Sequence, residues 1–119
     1  MGVDLTILPA FTVGPAELSF TNIVTEREKA IFDIFKSAQK QHGRDVSENF
    51  RCYLATGADG DPCYGTLTED AYGDKLQYIR AEHVKPALAD YTSRYWENRA
   101  LAKYILELPD ELAIVLYWH

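Results

Sequence analysis

Cysteine is scarce in this chain, with only Cys52 and Cys63 among 119 residues. Two cysteines do not build the disulfide framework of a small secreted domain, so a reducing compartment is expected. Positive charge is also short. Twelve Lys and Arg face 18 Asp and Glu, for a net charge of -6. Sequence-independent nucleic-acid binding rests on Lys and Arg neutralising phosphates, so no direct nucleic-acid contact is expected. No apolar run approaches the ~20 residues that span a bilayer, and no membrane association is expected. The opening Met1-Gly2-Val3-Asp4-Leu5 has no cationic segment ahead of an apolar one, so no secretory signal is expected either. The motifs of familiar chemistries are missing too: there is no glycine-rich phosphate loop, no nucleophile elbow and no H-E-x-x-H. A non-enzymatic protein without metal or cofactor is the resulting expectation.

Apolar side chains are plentiful, at 47% of the sequence, enough for a packed core in one domain spanning residues 1–119. Alternation marks Val3–Leu8 as a strand ahead of Pro9, and Leu18–Val24 as a second. Thr25-Glu26-Arg27-Glu28 has the form of a capping box, so a helix is predicted over about 26–42. Its apolar stripe is Ile31, Ile34, Phe35 and Ala38, and Gly43 stops it. Residues 50–55, 63–68 and 75–80 read as three strands of an antiparallel meander. Symmetric pairing sets Cys52 opposite Cys63 and Gly65 opposite Tyr78. Ala81–Asp90 starts a short helix, and Ser93–Leu108 carries a longer one with Leu101, Tyr104, Ile105 and Leu108 on one side. After Pro109 the run Leu112–Trp118 is apolar, aromatic and β-branched, the pattern of a strand in the core. The fold class is α+β: a mainly antiparallel sheet of about five to six strands packed by two main helices, with the C-terminal strand inside the core.

Three groups of residues bear chemistry. Asp59, Asp61, Glu69, Asp70 and Asp74 gather carboxylates near two turns. Their spacing does not match a calcium loop, so turn formation is the stronger reading than a metal. Cys52 and Cys63, if opposite, allow a disulfide or a zinc site, but without C-x-x-C or a ligand-spaced histidine two buried thiols are expected. The third group is Arg94, Tyr95, Trp96 and Arg99, residue types that dominate contact hot spots and that can stack a base. Core burial is weighed slightly ahead for Trp96 and firmly for Trp118.

Met1–Thr6, Cys63-Tyr64-Gly65, Thr68-Glu69-Asp70, Tyr72-Gly73, Asn98-Arg99-Ala100 and Glu107–His119 together resemble a family of small proteins encoded by bacteriophages and prophages. The resemblance covers most of the length in patches and carries no catalytic residue. It implies a bacterial cytoplasm as the setting. It also implies a protein that binds and blocks a host protein, including a defence complex. Such a blocker meets a basic host surface through carboxylates, here Asp59, Asp61, Glu69, Asp70 and Asp74. The alternative from the residues themselves is a protein that sequesters a small nucleotide-like signal at Arg94, Tyr95, Trp96 and Arg99.

Overall fold

The computed structural model describes residues 3–13, 16–19, 23–48, 50–56, 62–66 and 68–119, with 11–13, 16–19, 52–56 and 62–66 described by their backbone alone. In chain order the elements are β1 (Leu5–Val13), β2 (Ala16–Ser19), β3 (Ile23–Val24), α1 (Lys29–His42), β4 (Arg44–Asp45), β5 (Arg51–Thr56), β6 (Pro62–Thr66), β7 (Gln77–Arg80), a 3₁₀ turn (Ala81–His83), α2 (Lys85–Ala89), α3 (Trp96–Leu106) and β8 (Ala113–Trp118). The strands run β4-β7-β8-β1-β2-β5-β6 across the sheet, with β3 also on β1. Every pairing is antiparallel except β2 with β5. This is the α+β class that the sequence predicts, with β8 between β1 and β7.

Alternation builds the core. Leu5 and Ile7 of β1, Ile79 of β7, and Ile114, Leu116 and Trp118 of β8 share one sheet face. They pack against Ile31 and Phe35 of α1, Leu88 of α2, and Leu101 and Ile105 of α3. The opposite face carries a second cluster of Leu8, Ala10, Phe50, Leu76 and Val115. A strand buried on both faces has no polar face to show, which is why 112–118 reads as a continuous apolar run. Phe35 and Phe50 are fully buried, and each such ring contributes about 1.5–3 kcal/mol by leaving water.

Several local expectations are corrected. The capping box does not form: α1 starts after Glu28, with no side-chain cap. The Thr25 hydroxyl donates instead to the Leu5 carbonyl at 3.2 Å. The Glu28 carboxylate accepts from the Tyr91 hydroxyl, and from the Ser93 hydroxyl at 2.7 Å, so it ties the α2–α3 connection to α1. The meander also breaks after its first hairpin. β5 and β6 pair, but Cys52 lies opposite Gly65 rather than Cys63. Tyr78 lies opposite Arg44 and Val115, not Gly65, because β7 enters the sheet between β4 and β8. Strand β1 runs on through Pro9, which pairs with Ile114 of β8. On the other edge of β1, β3 pairs at 6–7 and β2 at 11–13. Pro9 falls in the gap between them, a position that tolerates a residue with no N–H. The second predicted strand, 18–24, becomes β2 and β3, with 20–22 outside the described residues.

Candidate functional site

A groove of about 660 Å³ opens between α1, the sheet edge and the turn at 70–74. Its lining includes Val3, Tyr72 and Trp118 as apolar and aromatic surface, Asp45, Asp70 and Asp74 as acids, and Lys36 and Lys75 as bases. The floor is a chain of polar side chains. The Trp118 indole N–H donates to Gln39 Oε1 at 2.7 Å. Gln39 Nε2 donates to Gln77 Oε1 at 3.0 Å, and Gln77 Nε2 donates to Asp45 Oδ1 at 3.2 Å. The Lys75 ammonium lies 3.5 Å from Asp45 Oδ2, an exposed pair of little energetic weight. Lys36 Nζ sits 5.5 Å from the Trp118 ring centroid, within cation–π range. Phe32 meets the same indole edge-on at 5.7 Å. Trp118 is thus held by packing on one side and by a hydrogen bond on the other, at 8% exposure. The firm expectation that it is a core residue holds, and its edge is also part of the groove wall.

The turn beside the groove explains part of the acidic pattern. Asp70 Oδ1 accepts from the backbone N–H of Tyr72 at 2.9 Å and of Asp74 at 3.1 Å. Gly73 takes φ of +83°, a left-handed conformation suited to glycine. Asp70 is therefore a turn former by its own chemistry, as Asx turns are. The turn is pinned to β8 by the Ala71 N–H, which donates to the Trp118 carbonyl at 3.1 Å. Glu69 and Lys75 close it as an isolated bridge. Within this frame Tyr72 stands 55% exposed. Of the five acids singled out in the sequence, Asp70 and Asp74 line the groove, and Glu69 lies in the adjoining hollow with Asp45 and Lys75. Asp59 and Asp61 lie outside the described residues.

The second group gathers in the loop that leads into α3. The Arg94 guanidinium lies over the Tyr95 ring at 4.9 Å and donates to its hydroxyl at 2.7 Å, which holds Arg94 in its charged form. Arg99 donates to the Ser93 carbonyl at 2.6 Å. Both arginines bond to residues of the loop that precedes α3. Trp96 is 66% exposed, so the expectation of core burial is overturned. It occupies the first turn of α3, while the helix buries Leu101, Ala102 and Ile105 on another side.

Sequence reasoning missed Asn98. It is fully buried, and its side-chain amide bridges the segment before α1: Oδ1 accepts from the Glu26 N–H at 2.8 Å and Nδ2 donates to the Glu26 carbonyl at 3.1 Å. An Asn within a helix is a poor helix former, and that was the available signal. It also missed the amide chain of Gln39 and Gln77. These residues are 38 apart in sequence, and nothing local marks either.

Among the described residues no group of three or more His, Cys, Asp or Glu is placed to hold a metal ion. No helix among them is long and apolar enough to cross a membrane. Comparison with protein-family models, with curated proteins and with solved structures finds no match for this chain.

Proposed function

We propose that this chain is a non-enzymatic interaction protein whose groove between α1 and the 70–74 turn receives a basic segment of a partner protein. The observation that carries the reading is the groove itself. It sets an exposed Tyr72 and the edge of Trp118 beside the carboxylates of Asp45, Asp70 and Asp74. An aromatic wall suits the stem of Lys or Arg, and a carboxylate rim suits its charged end. The net charge of -6 favours encounter with a basic surface. The resemblance to phage-encoded proteins gives the setting: a partner in the bacterial cytoplasm, blocked by occupation of its surface rather than by a reaction. Blocking needs only a rigid surface, and the groove is built on an anchored turn and a sheet edge.

The test is affinity capture from a bacterial host, followed by binding measurements on the identified partner. Asp70 is left intact because its carboxylate shapes the turn. Tyr72→Ala together with Asp74→Lys is expected to weaken binding by two orders of magnitude or so, the scale of a hot spot of ~2–4 kcal/mol. Trp96→Ala with Arg99→Ala is expected to leave it unchanged. The opposite pattern places recognition on the α3 loop and favours the small-ligand reading. Under that reading a cyclic nucleotide stabilises the folded protein against heat.

A further inference from the structure

Four residues with cation-forming side chains gather around one cavity at the C-terminal end of α1. They are His42, the last residue of α1, Arg44 of β4, Arg80 of β7 and His83 of the 3₁₀ turn. With Gln41 and Gly43 they line a cavity of about 340 Å³. The strand register sets Arg44 opposite Tyr78, so Arg80 is its diagonal neighbour on the same face, a separation of about 7–8 Å between backbones. Among the described residues neither guanidinium has a carboxylate partner. The two imidazoles stack with centroids 4.1 Å apart and planes 9° from parallel. The Arg80 N–H donates to His83 Nδ1 at 3.1 Å, which leaves the proton of the neutral ring on Nε2. Glu82 Oε1 is 3.8 Å from that Nε2. Asp33 lines an adjoining hollow with His42 and His83, but its carboxylate is already paired with Lys29 at 2.6 Å. The carbonyl end of α1 also faces this region and offsets part of the positive field. Unpaired like charges placed side by side cost stability, and in a chain of net charge -6 their concentration at one cavity calls for a counter-charge.

We propose that this cavity binds a tetrahedral dianion, the phosphate monoester of a small molecule, gripped by Arg44 and Arg80 with His42 and His83 as protonatable partners. The guanidinium fork matches phosphate oxygens in a way a single ammonium does not. The volume falls at the small end of ligand pockets, about 300–1,000 Å³, so the site has room for the carrier of the phosphate as well. Burial chiefly, and then the positive charge of His42, hold the His83 imidazole below its ordinary range. Arg80 and Arg44 act in the same direction, while Glu82 opposes them. A dianion among these groups favours the protonated rings, and for His83 the added proton falls on Nδ1 at the expense of the bond from the Arg80 N–H. For a ligand that stays a dianion, binding therefore tightens as the rings take up protons on acidification, whereas a phosphate monoester, which itself takes up a proton at about pH 6, loses part of that gain.

The test follows the ring C–H resonances of the three histidines by NMR across a pH titration. Sulfate serves as the first probe because it stays a dianion throughout, with chloride at equal ionic strength as control. Sulfate is expected to raise the midpoints of His42 and His83 by about half a unit or more and to leave His119 in place. The Arg44→Gln, Arg80→Gln double variant is expected to lose that shift. Arg44→Gln alone, at an exposed two-residue strand, is expected to weaken sulfate binding about tenfold. At fixed pH, glycerol phosphate is expected to bind more tightly than inorganic phosphate. Binding of inorganic phosphate with exclusion of glycerol phosphate overturns the monoester assignment. The site itself is overturned if sulfate moves the midpoints no more than chloride does, or if the double variant shifts as much as the wild type.

Discussion

Gly43 shows how much one residue carries. Its φ is -59°, which any residue adopts, so conformational freedom is not the reason for glycine here. Space is the reason. A Cβ at this position would lie 2.4 Å from the Gln39 carbonyl oxygen and 3.0 Å from Gln77 Oε1. The first of these is backbone, fixed by the Gly43 N–H that it accepts at 2.8 Å. Gly43→Ala is therefore expected to cost about 1–3 kcal/mol, as overpacking does, and to break the link from Gln39 to Gln77 under the groove. Thermal melting of the variant checks this, and an unchanged melting temperature contradicts it. The sequence shows Gly43 as a helix stop, which it is, but not the Gln39 carbonyl and the Gln77 amide that leave no room for a Cβ. Glu28 teaches the same lesson. Its spacing from Thr25 fits a capping box, and its carboxylate instead reaches Tyr91 and Ser93, more than 60 residues away. A local motif loses when a tertiary partner offers a charge-assisted bond that also fixes a second element.

Among the elements, β8 is decisive. It pairs with β1 from Leu5↔Trp118 to Ala10↔Ala113, and with β7 from Gln77↔Leu116 to Arg80↔Ala113. Beyond it, the His119 N–H donates to the Asp4 carbonyl at 2.8 Å, and the Trp118 carbonyl holds the acidic turn. Removing Tyr117, Trp118 and His119 thus strips the end of the central ladder, the Phe32–Trp118 contact and the anchor of the turn together. Loss of a buried Trp alone costs about 3–5 kcal/mol, a large part of the ~5–15 kcal/mol by which domains are stable. The truncated chain is expected to lose cooperative melting, read by circular dichroism, while a chain that melts like the intact one contradicts this. The existence of β8 was legible because burial on both faces leaves an unbroken apolar run. The existence of β7 was legible from its composition, but its neighbours were not. A short loop after β6 points to a hairpin, whereas residues 70–74 form their own turn against β8 and deliver β7 to the other side of the sheet. The α3 boundaries of 96–106 fall inside the predicted 93–108, since Ser93 and Tyr95 serve the loop through the Tyr95 N–H to Ser93 Oγ bond of 3.0 Å.

At the scale of the whole molecule, two neighbouring charges of β4 go to different surfaces. Asp45 and Arg44 are adjacent in β4 and alternate across the sheet, so the first joins the acidic groove and the second the basic cavity. The basic cavity was not legible as a site, and the groove only in part. The groove draws on residues 3, 36–45, 70–77 and 118, and of these the sequence put forward Asp70 and Asp74, as turn formers and as carboxylates for a basic partner. The residues that complete it are ordinary Gln, Lys and Val side chains whose meaning comes from the β4-β7-β8 strand order. The chain has two tryptophans, one at each candidate surface: Trp118 at the groove and Trp96 at the α3 loop. Their indole N–H signals in a ¹⁵N NMR spectrum make the central claim directly measurable. On titration with an arginine-rich peptide that carries apolar flanks, the Trp118 signal is expected to shift along with the side-chain amides of Gln39 and Gln77, and the Trp96 signal to stay in place. A shift of Trp96 with Trp118 unmoved contradicts the assignment of the groove as the contact surface.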